Sequence, residues 1–520
     1  MTGETTRTAE LVTRSLDPAT IPVFEDRLVE QAEWLKTAID DGRMDNADFA
    51  VGLEMEVYAV TGADGATPPQ LARLPDGVFE TPAANKELGL HNVEINTGAT
   101  LLSDAGLVAQ AEEIRERTAA AKAAAREHDC ELVLDAMWTL PPDEGAMSYL
   151  SATETHDTVV FAENMRQDPR YVAIDNHVLE HTGGERIPLS VPGADVAFPS
   201  ILFESLATSI QPHLQVPSAE EFPAYYNAAI RTLGPVLALS ANSPFLPAEM
   251  YTGVDEPERL IEESHHELRI DVFEQSVNQT PNRKVRVPRD IETTGQIVDR
   301  VLEDDRYAPF LREWIEGDDE REALSDRIWE FDHKRGTYWR WLRCVLGGDH
   351  IDSDNNKQSL RIEYRPIPTQ PTVTDVVGIQ ALVAGLLCGL VEADHPIAEL
   401  PWEAAESSFY SAVESGLDAD LEWIGADGER TTDRSVIFED IFEHARIGLD
   451  AAGVPADDIE RYLAPIEARW NVRTTPSSWK KSQVQKAVAE GADLPTAIAE
   501  MQQEYIRRSR ESGSFAEWIR

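Results

Sequence analysis

The stretch that decides the fold is GLEMEVYAV, residues 52–60. Written as a strand, it sends Leu53, Met55 and Val57 to one side and Glu54, Glu56 and Tyr58 to the other, because successive side chains alternate. Two carboxylates then stand side by side on one face. Like charges at that spacing repel, and glutamate is a poor strand former. The pair makes sense if a cation sits over it, with the apolar face turned to a core.

Three further segments repeat the pattern. HNVEINTG, 91–98, puts Glu94 and Asn96 on one face with Val93 and Ile95 behind. PHLQV, 212–216, pairs His213 with Gln215, and LRIEYRPIP, 360–368, aligns Arg361, Glu363 and Arg365 against Ile362 and Tyr364. An antiparallel strand with one wet face explains any single segment. Together they offer glutamates, a histidine, amides and arginines instead of the usual threonine, tyrosine and lysine. Hard cations such as Mg²⁺ seek carboxylate oxygens and keep water or substrate phosphate as further ligands.

Composition narrows the classes. The chain has 520 residues and a net charge of −48, from 94 acidic and 46 basic side chains. The acids are spread along the chain, which argues against nucleic acid, whose phosphates they would repel. Nine of the basic residues are lysine and the rest arginine. Dispersed acid with scarce lysine resembles the cytoplasmic proteins of salt-loving microbes, whose self-repulsion is screened by salt. Cys130, Cys344 and Cys388 are far apart, which predicts a reducing compartment and small core residues, with no structural zinc. No apolar leader opens the chain, and VVGIQALVAGLLCGLV, 376–391, is short for a membrane span. It reads as a core helix begun by a capping box at Thr372 and Asp375. These features predict a cytoplasmic, membrane-free protein, compatible with a homo-oligomer.

Residues 1–45 read as a helical extension. LVAQAEEIRERTAAAKAAAREHD (107–129) reads as a helix after Ser103, ELVLDAMW (131–138) as a strand, and EEFPAYYNAAIRTLGPVLALSA (220–241) as a helix interrupted by proline. Beyond about residue 400 the patterning is almost wholly helical. The class is α+β with a helical C-terminal region. No GxxxxGK[ST], strand-borne GxGxxG or GxSxG occurs, so any ATP chemistry needs another scaffold.

GLEMEV, VEINTG, HLQV, ALSANSPF (238–245), SHHELRIDVFEQ (264–275) and IEYRPIPTQPTVTD (362–375) occur in the order seen in the glutamate–cysteine ligase family. The resemblance is to its bacterial and archaeal carboxylate–amine ligase branch and covers roughly residues 48–420. It implies a glutamine-synthetase-like catalytic fold, a curved antiparallel sheet with helices on its convex side. A catalytic domain would run over 46–425, between the 1–45 extension and helices at 426–520. The resemblance also implies ATP with Mg²⁺ or Mn²⁺, glutamate and an amine such as cysteine as substrates, and an acyl phosphate between them. Glu54, Glu56, Glu94, His213 and Glu363 would hold metal. Glu54 and Arg365 would act in catalysis, and Arg269, Gln215, Asn96, Asn242 and Arg361 would bind substrate or nucleotide. Gln215 stands where the family's HxH motif has its second histidine, and 402–421 lacks the basic residues of the corresponding family helix. A different amine acceptor and a non-catalytic relative therefore stay open.

Rival motifs are present. HVLEH, 177–181, fits the HxxEH zinc-hydrolase pattern through His177, Glu180 and His181. That chemistry needs a helix, and the flanking NHVLEHTGGERIP reads as turn and strand. Asp352, Asp354, Asn356 and Glu363 mimic a calcium loop, with Lys357 where glycine is needed. His265 and His266 read equally as surface or pocket lining.

Overall fold

A computed structural model describes residues 3–61, 68–251, 254–315, 324–347 and 358–520. Its centre is an antiparallel sheet. Strand β1 (Ala50–Val60) lies between β2 (Asn92–Asn96) and β3 (Ser209–Gln215). At one edge β4 (Leu342–Leu346) pairs with β5 (Leu360–Tyr364), which pairs with β3; at the other, Asn85–Lys86 pair with β2.

The alternation of β1 sorts its faces. Leu53, Met55, Val57 and Ala59 are buried, whereas Glu54 and Glu56 are half-buried on the opposite face. Helix Asp104–Arg126 packs on β1 and β2, and Val373–Glu392 packs on β3 and on Phe222–Ser240. Each fully buried aliphatic side chain in this layer stabilises the fold by about 1.5–3 kcal/mol. Helix Asp104–Arg126 starts where the Ser103 hydroxyl accepts the Gly106 N–H at 3.2 Å.

Val373–Glu392 is the one helix among the described residues long and apolar enough to cross a membrane, and 89% of its apolar window is buried inside the fold. Its glycines explain its neighbours. A methyl group at Gly389 would run into the His444 carbonyl, and one at Gly448 into that of Gly385. Helix Arg434–Ala451 therefore lies backbone-close along the core helix, and the C-terminal helices share its hydrophobic core. At the other end Gly3–Leu16 packs on Pro169–His181, and Thr20–Asp40 on Gly295–Glu303.

Four local expectations are corrected. The 131–138 strand stops at Val133, because the Asp135 carboxylate turns to accept from Ala136 N–H and Lys480. Phe222–Ser240 runs unbroken through Pro235. Thr372 caps its helix, but the Asp375 carboxylate accepts from the Thr372 hydroxyl, Arg469 and Phe515 N–H and closes no capping box. The 177–181 segment is the last turn of helix Pro169–His181, and Gly183 and Gly184, at φ of 70° and 80°, end that helix.

Candidate active site

Strand register assembles the site. Glu54 stands opposite both Gln211 and Asn96, and Glu56 opposite Glu94. His213 faces Glu363, Gln215 faces Arg361, and Arg343 faces Glu363. Directly opposed residues of antiparallel strands share a face. All these side chains therefore stand on the sheet face opposite the helical layer.

Glu54, His213 and Glu363 each offer a ligand atom within 4.8 Å of the other two. His213 Nε2 lies 3.4 Å from Glu54 Oε1 and has no hydrogen-bond partner among the described residues. Burial lowers the pKa of His213, against the pull of Glu54 and Glu363. The buried Nε2, without a partner among the described residues, is open to a metal when the ring is neutral. Glu363 is clamped by Arg343 at 2.7 Å and by Arg365. Burial alone would raise its pKa, but Arg343, Arg365 and His213 hold it well below the carboxylate range.

The other acids are strained. Glu56 accepts from Ser209 N–H at 2.8 Å and Gln211 Nε2 at 3.3 Å, and burial still raises its pKa. Burial, reinforced by neighbouring acids, pushes Glu94 up to about 9 and Glu87 up to about 8. A crowd of carboxylates that hold protons in the absence of a cation, beside an orphaned imidazole nitrogen, fits a divalent ion. The oxygen-rich set suits Mg²⁺, and the imidazole is also acceptable to Mn²⁺.

Two cavities open on this face. One of about 380 Å³ is lined by Glu54, Glu56, Glu87, Glu94, Glu204 and Arg365, with Tyr171, Phe273 and Trp339 on its apolar wall. One of about 180 Å³ is lined by Glu54, Asn96, His213, Gln215 and Arg361. Glu54 borders both. Arg365 also donates to Gln211 Oε1 at 2.8 Å, so its guanidinium spans the sheet between Gln211 and Glu363. Asn96 donates to Glu94 at 2.8 Å, and Gln215 to the Asp48 carbonyl at 3.1 Å. Arg361 has a buried Nε without a partner among the described residues.

Two expected binding residues line neither cavity, although the Arg269 charge reaches Glu56 and Glu204. Arg269 is buried, donates to the Pro366 carbonyl and lies 5.5 Å over the Trp341 ring. Asn242 donates to the Thr369 carbonyl at 2.7 Å and to the Tyr505 hydroxyl at 2.9 Å, and neither cavity includes it. Sequence reading missed Gln211, Arg343, Glu87, Glu204 and Arg170. The first shares the parity of His213 and was open to the same argument. Glu87 and Glu204 lie outside the long strands, where no periodicity marks them.

The rival sites fare differently. His177 and His181 border a larger cavity, of about 810 Å³, away from the sheet. His177, Glu180 and His181 do not converge as a three-ligand group among the described residues. The calcium-like Asp352, Asp354 and Asn356 lie outside the described residues. His265 bonds to Asp271 at 2.8 Å and His266 to Ser477 at 3.1 Å. A second converging trio is His395, Asp440 and His444. There His395 Nδ1 accepts from Ile397 N–H, so its proton sits on Nε2 and is donated to Asp440 at 3.1 Å. The lone pair a metal needs is already used, and the trio reads as a hydrogen-bonded lock.

The helix-backed antiparallel sheet thus turns carboxylates, an imidazole and guanidiniums to one face. The sequence profile of glutamate-cysteine ligase family 2 matches residues 50–511, and the chain belongs to that family of ligases. A glutamate–cysteine ligase from Francisella tularensis, solved in complex with AMP, shares the fold with a TM-score of 0.50 at 12% identity over 90% of each chain. A bifunctional glutathione synthetase from Pasteurella multocida aligns with a TM-score of 0.50 at 13% identity, over 92% of this chain and 55% of that one. No curated protein matches the sequence.

Proposed function

We propose that this chain is an ATP-dependent ligase that joins the γ-carboxylate of glutamate to an amine, with cysteine the first candidate, through an acyl phosphate. The observation that carries the reading is the convergence of Glu54, His213 and Glu363 within 4.8 Å, with Arg365 hydrogen-bonded to Glu363 beside them. Carboxylates are poor electrophiles. The γ-carboxylate oxygen must bond to the terminal phosphorus of ATP as ADP leaves, and the amine nitrogen then bonds to the acyl carbon as phosphate leaves and a proton is lost. Phosphoryl transfer of this kind depends on positioning and charge neutralisation. Arg365 would stabilise charge on the transferring group. Gln211 and Glu363 fix its guanidinium, and Glu56, held by Ser209 and Gln211, keeps its neighbour in register. Glu54, Glu56, Glu94, His213 and Glu363 would hold Mg²⁺ or Mn²⁺, which neutralises phosphate oxygens when bound. Arg361, Gln215 and Asn96 line the smaller cavity as candidates for binding substrate or nucleotide.

ADP release with Mg²⁺, ATP, glutamate and a panel of amines in molar salt tests the reading. Release should require both glutamate and an amine. Turnover with glutamate but without cysteine would change only the acceptor, and no turnover with any combination would overturn the ligase.

A further inference from the structure

The larger cavity holds an acid that neither the metal cluster nor the phosphoryl chemistry uses. Glu204 belongs to the 3₁₀ turn Ile201–Leu206, in which Ile201, Leu202, Phe203, Ser205 and Leu206 are all buried. The turn is fixed from below. Ser200 caps it by accepting Leu202 N–H at 3.0 Å, and Asp175 receives the Ser200 hydroxyl at 2.9 Å and Ile201 N–H at 2.8 Å. The Ser205 carbonyl accepts from His91 at 2.9 Å and Trp138 at 3.2 Å. Glu204 and Ile201 of this turn line the cavity, and the Glu204 carboxylate accepts no hydrogen bond among the described residues.

A carboxylate at an enclosed site calls for a cation. The two arginines whose charge reaches Glu204 have other partners: Arg365 bonds Glu363 and Gln211, and Arg269 bonds the Pro366 carbonyl. A metal ion wants several oxygens at once. Glu204 stands apart from the converging ligand trio and comes from a helical turn instead of the sheet. Beside its charged groups the cavity wall carries Ile174, Ile201, Phe273, Val277, Tyr171 and Trp339. An acid set in an aromatic and aliphatic wall suits an organic ammonium group, which needs one anionic acceptor and tolerates apolar and π surfaces. Resting on the ligase reading, we propose that Glu204 receives the ammonium group of the acceptor amine and holds its nitrogen on the Arg365 side of the cavity, making Glu204 a specificity residue for primary amines that arrive charged. Glu56, Glu87 and Glu94 also border the cavity, and the charges of Glu56 and Glu87 reach Glu204.

The test compares a charged acceptor with an uncharged one. Cysteine carries its ammonium near neutral pH, whereas hydroxylamine is mostly uncharged there and needs no anionic anchor. In Glu204→Gln, the preference for cysteine over hydroxylamine in kcat/KM should fall roughly ten- to hundredfold, the value of one charged hydrogen bond. Most of the change should sit in KM for cysteine, with the KM values for ATP and glutamate unmoved. An unchanged preference, whether because both acceptors are unaffected or because both fail together, overturns the proposal; joint failure with raised Mg²⁺ demand would make Glu204 a metal ligand. Calorimetric titration of folded wild type and Glu204→Gln with cysteine alone is the second arm. Weaker cysteine binding by the variant is expected, and equal binding refutes the role. If the wild type releases no ADP with any acceptor, the ligase reading fails, and the calorimetric arm still decides whether Glu204 binds an ammonium.

Discussion

Replacing Arg365 by alanine separates chemistry from stability, and the structure sets the size of both effects. The guanidinium is mostly buried, with 12% of the side chain exposed, and donates to Glu363 and to Gln211. Truncation removes these bonds, each worth roughly 1.5–3 kcal/mol when one partner is charged. The larger penalty of about 3–5 kcal/mol for stranding a buried charge does not apply. Glu363 keeps Arg343 at 2.7 Å as its counter-charge. The expected loss of stability is therefore a few kcal/mol at most. Loss of a group that neutralises transferring phosphoryl charge costs roughly 10²–10⁵ in rate, or about 3–7 kcal/mol of barrier. Arg365→Ala should fold, melt slightly early and lose almost all turnover. Both bonds leave Arg365 Nη1; Arg365→Lys keeps the charge on a compact ammonium at a shorter reach, without the planar guanidinium, so it should recover only part of the rate. The assay is steady-state ADP release beside denaturant unfolding of the same preparations. Near wild-type turnover in Arg365→Ala, or a loss of activity that simply tracks loss of folded protein, would refute the reasoning.

Other outcomes follow from the same geometry. His213→Ala removes the imidazole of the converging trio and should weaken Mn²⁺ binding roughly tenfold or more, read by calorimetry. Glu94 and Glu87 hold protons up to about 9 and about 8, and a bound cation must displace them, so Mg²⁺ affinity should rise as pH climbs through that range. Asp440→Asn breaks the lock with His395, His444 and the Trp423 N–H, the last at 2.6 Å, and should cost roughly 3–5 kcal/mol in denaturant unfolding. Burial lowers the pKa of His444, but Asp440 outweighs it and raises the group above its ordinary 6.5. That contribution is fully present below 6.5 and is lost as pH rises through the folded value, so the gap between wild type and Asp440→Asn should narrow at alkaline pH. With a net charge of −48, unfolding should begin earlier in dilute buffer than in molar salt, since charges interact over about 30 Å at 0.01 M and about 3 Å at 1 M.

The sheet and its polar face were legible because a strand has a period of two. Once GLEMEV, VEIN, HLQ and RIE were read as strands, parity alone put Glu54, Glu56, Glu94, His213 and Glu363 on faces opposed to apolar ones. Register, which parity does not give, then brought three of them within reach of one ion. Acids outside the long strands were not legible: Glu87 and Glu204 sit where no repeat distinguishes a site residue from a solvated one. Glycine misled the reading at 177–181, where the Gly183-Gly184 pair ends a helix after His181 instead of excluding one. Asn242 carried the motif's polarity, yet its side chain serves the packing of the C-terminal helices through Tyr505. Lys480, which donates to the Asn242 carbonyl at 2.7 Å, adds to the same network.

The central claim is that the sheet face activates a glutamate carboxylate by phosphorylation. Glutamate labelled with heavy oxygen in its γ-carboxylate tests it most directly, in a reaction with ATP, Mg²⁺ and cysteine in molar salt. The account predicts that one labelled oxygen per turnover appears in inorganic phosphate, carried there when the amine displaces phosphate from the acyl carbon. Turnover that leaves the released phosphate unlabelled would contradict it.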